Sequence, residues 1–325
     1  MQRHQARPRS PLAVALCQIR AALAALAALA LVVLAGSGPA GAVVGPQQIM
    51  AGPEDQLLAS SNDTYLIWSA NSQAFPNRYL AYGKVRGTSG RFRLNRSGTR
   101  GYAGGLDPGQ NRAVYQQIDG QTSDLFTINL ETRVRVKLPA LVNSDRWERS
   151  PRVSDAFYLL ARDTAAATTL LLYDRAAKSI ESLASFDIER YSVTPGAVGE
   201  RYATWTVCTV FNCNAFVRDT ATDQTRKIPA PDGRPRYAPV VHEGEAQVYF
   251  VRSGHACGVA VRIMRVPLSD LGATATLLAA LPDGIDAGLQ QSVQDLETQV
   301  DLWFSRYRCG PRQADIYRLR DVGPV

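Results

Sequence analysis

Five cysteines and three histidines are the residues of this 325-residue chain with the widest chemistry. Cys208 and Cys213 bracket the stretch "CTVFNCN", a spacing that fits a disulfide staple, a redox pair or half of a metal clip. A four-cysteine zinc site needs two close pairs, and neither Cys257 nor Cys309 has a second cysteine nearby in sequence. His242 stands in "HEGE" beside Glu243 and Glu245 and reads as an exposed turn built on Gly244. His255 lies between glycines in "SGHACG". Ser253 has no G-x-S-x-G elbow around it and no obvious acid partner, so a Ser-His-Asp hydrolase lacks its frame. No phosphate-cradling glycine motif opens a helix. Chemistry by side chain is therefore sparse, and the cysteines carry most of the signal.

The compartment decides how those cysteines are read. The first 42 residues carry four arginines and no acid, then an apolar run from Ala21 to Ala35, then Ala40-Gly41-Ala42. A basic segment, a short apolar core and a small-x-small site form an export signal, with cleavage expected after Ala42 and the folded domain expected over 43–325. The apolar run is shorter than the roughly twenty residues that span a bilayer. A secreted or extracytoplasmic protein with no stable membrane insertion after cleavage is the expectation. The full chain has a net charge of +7, but four of its 36 basic residues lie in the leader, leaving 32 against 29 acids. That balance gives no argument for nucleic acid. Four cysteines remaining in an oxidising compartment read as two disulfides.

Helical periodicity is weak after the leader, and short β-rich runs separated by Gly, Pro, Asp and Asn recur instead. They align in units. A small or proline-containing opening leads to a turn, then to a strong strand: "RAVYQQI", "AFYLLAR", "RYATWTV" and "AQVYFVR". A further strand follows in "DLFTINL", "TLLLYDR", "NAFVRDT" and "VRIMRVPL", and a more polar strand closes the unit. The strong strands start near Arg112, Ala156, Arg201 and Ala246, a period of 44 to 45 residues. "TYLIWSANS" begins a first unit and "QVDLWFSRYRC" a sixth, which lacks its last strand. This period with four strands per unit predicts an all-β, six-bladed β-propeller of antiparallel blades. The N-terminal stretch from Val43 to Met50 is expected to complete the last blade, leaving neither end as a raw edge.

Charged positions are expected to be structural. Arg133, Arg135 and Lys137 alternate with Val134 and Val136 on an outermost strand, which reads as a solvated edge guarded by charge. Arg86, Arg91, Arg93, Arg96 and Arg100 read as a solvated hairpin and loop. Asp124 and Asp315 share one repeat position, Asp174 and Asp219 another, and all four are expected to hold turn amides.

The units resemble the TolB-like repeats of the six-bladed propeller superfamily, of secreted bacterial type. "DPGQNRAVYQQIDGQTSDLFTINLETRVRVKLP" from Asp107 follows their frame closely, and "SPRVSDAFYLLARD" from Ser150 and "ADIYRL" from Ala314 follow parts of it. The resemblance covers about residues 55–322, although "SPDG" appears nowhere intact. It implies a binding or scaffolding module without catalytic activity or cofactor, acting on a protein or glycan of the cell envelope, as a monomer. The alternatives are a hydrolase or lyase of extracellular polysaccharide and a purely structural envelope protein. Metal-dependent propeller lyases gather several histidines at one face, and only His242 and His255 follow the leader.

In register, all four later cysteines fall at turns between second and third strands, which open on one face of a propeller. Cys208–Cys213 would staple one hairpin mouth and Cys257–Cys309 would link blades five and six. The loops of that face are the candidate binding surface: Phe211, Asn212, Arg252, Ser253, His255, Arg306 and Arg308.

Overall fold

The recurring unit folds as a four-stranded antiparallel sheet, and six such sheets are present. The structure is a computed structural model that describes residues 44–322 apart from 52–53, 73–74, 108–109, 254–259, 282–283, 297–298 and 309–313. The first described strand is β1 (Val44–Met50). Blade 1 is β2 (Gln56–Ser61), β3 (Tyr65–Ser72), β4 (Phe75–Val85) and β5 (Phe92–Arg93). Blade 2 is β6 (Arg100–Leu106), β7 (Arg112–Asp119), β8 (Thr122–Asn129) and β9 (Arg135–Lys137). Blade 3 is β10 (Trp147–Val153), β11 (Phe157–Asp163), β12 (Ala167–Asp174) and β13 (Ser179–Asp187). Blade 4 is β14 (Ser192–Val198), β15 (Tyr202–Cys208), β16 (Cys213–Asp219) and β17 (Gln224–Lys227). Blade 5 is β18 (Arg236–His242), β19 (Gln247–Arg252), β20 (Val261–Pro267) and β21 (Thr276–Leu281). Blade 6 is β22 (Gly284–Leu296), β23 (Gln299–Arg308) and β24 (Ala314–Val322), and β1 pairs antiparallel with β24 as its outermost strand. The ring is closed by the N-terminal strand, as the repeat count requires.

Closure is reinforced by side chains. Gln48 Nε2 donates to Asp315 Oδ2 at 2.9 Å, and Arg318 Nη2 donates to Gln47 Oε1 at 2.6 Å. Asp301, fully buried on β23, accepts from Arg320 Nε at 2.9 Å and from Arg318 Nη1 at 3.5 Å. Asp124, matching Asp315 in the repeat, pairs with Lys137 of the outer strand β9 at 2.8 Å. These two acids tie outer strands rather than turn amides. Asp174 and Asp219 do hold turn amides: Asp174 accepts from Ala176 and Ala177 at 2.8 Å, and Asp219 from Ala221 at 3.0 Å.

The hydrophobic core is divided among the blade interfaces. One cluster joins each neighbouring pair, for example Tyr65, Ile67 and Leu94 with Ala113, Tyr115 and Ile128 between blades 1 and 2. Leu159, Leu170 and Leu172 meet Val193, Trp205 and Val207 between blades 3 and 4. The last gap is filled by Leu66 and Trp68 against Trp303 and Ile316. A single blade could not bury both faces, so the strands stand only because neighbours stack. Within blades 1, 2, 3, 4 and 6 an aromatic pair stacks directly across the second and third strands: Trp68–Tyr82, Tyr115–Phe126, Tyr158–Tyr173, Trp205–Phe216 and Phe304–Tyr317. Such pairs contribute roughly 0.2–1 kcal/mol each beyond Ala–Ala.

The small or proline-containing openings of the units are the inner strands, each followed by the turn to the second strand. Those of blades 1 to 5 each carry a bulge, in which three residue steps face two on its partner: Leu57–Ser60, Ala103–Leu106, Arg149–Arg152, Pro195–Val198 and Tyr237–Val240. Gly104 and Gly196 stand at two of these bulges. A Cβ on Gly104 would lie 2.4 Å from the Pro151 carbonyl, and one on Gly196 would lie 2.3 Å from the Pro239 carbonyl, so the next blade's backbone dictates glycine. Backbone groups of the bulged strands bond to side chains of the preceding blade. Ala103 N donates to Ser69 Oγ at 2.8 Å, Ala238 N to Thr206 Oγ1 at 2.9 Å, and Pro239 O accepts from Thr204 Oγ1 at 2.7 Å. Arg152 does the same for blade 4, its Nε donating to Gly196 O at 2.7 Å. It is 1% exposed, and burial pushes its guanidinium down to about 10.

Both basic stretches are exposed or half-exposed, as expected, and their side chains also make specific bonds. On the outer edge of blade 2, Arg133 lies over Phe92 and Arg135 donates to the carbonyls of Leu94 and Arg93, while Arg135, Val136 and Lys137 all remain exposed. Val134 and Val136 face water, at 58% and 57% exposure. Exposed charge on an outermost strand blunts that edge against pairing. In the other cluster Arg91 pairs with Glu54 at 2.8 Å, Arg93 donates to Thr99 O at 2.7 Å and Arg86 to Asn62 O at 2.9 Å.

Candidate functional site

Alternating strand directions put the turn after each second strand, and the connection from each outer strand to the next blade, at the same end of the sheet. Cys208 closes β15 and Cys213 opens β16, they are cross-strand partners, and their sulfurs are bonded. The hairpin above the bond is self-supporting. Thr209 N donates to Asn212 O at 2.8 Å, and Thr209 Oγ1 accepts from Phe211 N at 3.3 Å and Asn212 N at 3.1 Å. Below the bond, Trp205 and Phe216 stack at 5.7 Å and fix the hairpin to the blade. At the tip, Val210 and Phe211 are 89% and 85% exposed. The disulfide, the Thr209 turn and the aromatic pair thus hold an apolar tip in water in a defined conformation.

The same end of blade 5 carries a charged group. Asp232, in the connection from β17, bonds Arg252 through Oδ2 and Arg236 Nη2 through Oδ1 at 3.3 Å. Arg236 also lies over the Phe250 ring at 5.2 Å, and burial, offset in part by Asp232, lowers its affinity for its proton. Desolvation opposes ionisation of Asp232, yet the Arg234 amide, the Arg252 bond and both guanidinium charges hold its carboxyl below the ordinary range.

The remaining expected residues are dispersed. Ser253 is buried at 7% exposure, its amide donating to Pro235 O at 3.2 Å. Arg306 lies over Tyr317 at 5.4 Å, and Arg308 ends β23. Cys257, Cys309 and His255, with the second expected disulfide, lie outside the described residues. His242 is not an exposed turn residue: it ends β18, is 7% exposed and accepts from the Glu245 amide through Nδ1 at 3.2 Å. Among the described residues no three His, Cys, Asp or Glu side chains come together as a metal site. Val210, Asp232 and Arg236 escaped the sequence reading. Val210 adjoins Phe211 and shares its exposure, whereas only strand pairing brings the blade 5 charges together.

No family model matches the chain, and no curated protein matches it. Solved structures do. TolB from Acinetobacter baumannii superposes with a TM-score of 0.58 at 10% identity, over 79% of this chain and 63% of that one. A TolB candidate from Agrobacterium tumefaciens superposes at 0.57 and 12% identity, over 87% of this chain and 98% of that one. The chain has the TolB-like six-bladed propeller fold. The same architecture serves an oligogalacturonate lyase in complex with manganese, at a TM-score of 0.50 and 9% identity over 87% and 98% of the two chains. A TolB-like propeller is thus a frame that carries different activities, and function has to be argued from the site.

Proposed function

We propose that the protein is an extracytoplasmic, non-catalytic binding module that engages a protein partner through the face bearing the Cys208–Cys213 hairpin. One observation carries the reading: Val210 and Phe211 stand 89% and 85% exposed on a disulfide-closed turn, where a solitary monomer gains nothing from apolar surface. A rigid aromatic anchor loses little side-chain freedom on docking, which is the common property of residues that dominate interfaces. The disulfide and the leader-like Ala21–Ala35 run support an oxidising compartment. The test is affinity capture from a cell-envelope extract by the wild type and by Phe211→Asp, which alters only the tip. A partner retained by the wild type and lost from the variant is the expected result. Identical captured sets would overturn the assignment to this face.

A further inference from the structure

Strand pairing places three arginines side by side across blade 5. Arg236 on β18 is the cross-strand partner of Arg252 on β19, which is the partner of Arg262 on β20. Cross-strand partners share a face, and like charges directly opposite one another repel. One carboxylate, Asp232, serves Arg236 and Arg252, and no described carboxylate lies within ion-pair distance of Arg262. The Nε atoms of all three are buried and bonded to nothing among the described residues. Arg236 is 6% exposed. A row of three guanidinium groups with one carboxylate among them is unfavourable in itself.

Beside the row is a cavity of about 250 Å³ at the junction of blades 4 and 5. Arg236, Arg252 and Asp232 line its charged end, and Ile228, Phe250, Met264 and Leu271 line its apolar body. At about 30 Å³ per water it has room for roughly eight waters, or for one small ring with a short tail. Guanidinium groups match the two oxygens of a carboxylate or a phosphate.

We infer that this cavity binds a small oxyanion carried on an apolar body, with the anion against Arg236 and Arg252 and the body among Phe250, Met264 and Leu271. The inference goes beyond the hairpin reading and does not depend on it, because the cavity lining includes none of residues 208–213. The geometry defines the shared chemistry, and two probes separate its sources: 3-phenylpropanoate for a carboxylate and phenyl phosphate for a phosphate ester. Each is titrated into the full chain by calorimetry, with 3-phenylpropanamide as the neutral control. Saturable binding of at least one anion is expected, with the amide bound at least about tenfold more weakly. Arg252→Gln should weaken the anion by a similar factor. Arg262→Gln removes a like charge without touching Asp232, so its ligand-free melting temperature should hold or rise while anion affinity falls. No saturable binding by the folded wild type up to about 10 mM, or amide binding equal to acid binding, would overturn the inference. Loss of the protein partner by Phe211→Asp with this binding intact would show the two sites to be separate.

Discussion

Removing the Cys208–Cys213 bond is the cleanest quantitative probe of the stapled hairpin. The double substitution Cys208→Ser, Cys213→Ser leaves the native turn intact, because Thr209 and Asn212 hold it with their own bonds at 2.8 and 3.1 Å and the Trp205–Phe216 stack lies below it. The effect must then fall on the unfolded chain, which regains the freedom the cross-link had removed. The two cysteines are five apart in sequence, so the closed loop is short. For about six residues the chain-entropy relation yields about 2 kcal/mol. Unfolding entropy of about 2.1 cal/mol/K per residue over roughly 280 residues is about 0.6 kcal/mol/K, so the melting temperature should fall by about 4 °C. Differential scanning calorimetry of both proteins, kept oxidised so that Cys257 and Cys309 stay in the same state, measures this. A fall under about 1 °C would mean the bond does not constrain the unfolded chain, and one above about 10 °C would mean it supports native contacts far from the hairpin. Either result refutes the reasoning.

Two further outcomes follow from the ion pairs. Asp301→Asn removes the charge that holds Arg318 and Arg320 behind the closing strand β1. Breaking a buried pair costs about 3–5 kcal/mol, and because both arginines reach solvent the lower end is expected in urea unfolding; a loss below about 1 kcal/mol would show that water replaces Asp301. Asp219 is held down to about 2 from 3.8, first by its hydrogen bond to Arg201 and then by the Ala221 amide and the Arg201 charge, against a desolvation that opposes them. The unfolded chain binds this proton first as pH falls, so the pair's stabilisation is complete above about pH 4 and lost as pH falls through about 2. A carboxyl NMR titration should place the Asp219 midpoint near 2 in the wild type and closer to 3.8 in Arg201→Gln; matching midpoints would remove Arg201 as the cause.

The strong second and third strands were legible because their apolar runs recur every 44 to 45 residues, and the structure starts them at Arg112, Phe157, Tyr202 and Gln247, within one residue of the repeat. The inner strands were legible only as small or proline-containing openings to each four-stranded unit. "SVTPGAV" and "RYAPVVH" are weak strand formers because Gly196 and the prolines lack strand propensity, and they hold as strands because the preceding blades bond their bulges, Arg152 to Gly196 O and Thr204 and Thr206 to Pro239 O and Ala238 N. The basic edge of blade 2 was legible as a charged, solvated outer strand, but its bonds to blade 1 were not, since alternation reveals that Arg135 and Val136 point opposite ways but not which neighbour each meets. His242 was misread for a similar reason: its glycine-rich context signals a turn, while its burial depends on the strand end it occupies.

By itself the sequence determined the periodic pattern, and with it the blade count, the closing role of β1 and the position of Cys208 and Cys213 at one hairpin mouth, because these are properties of spacing along the chain. Only the tertiary structure decided that Arg236, Arg252 and Arg262 stand in one row beside an apolar cavity, and that Val210 shares the exposed tip with Phe211. The physical reason is that repeats encode local strand order, whereas the meeting of three residues from three strands depends on register, and register is set by bulges and packing between blades.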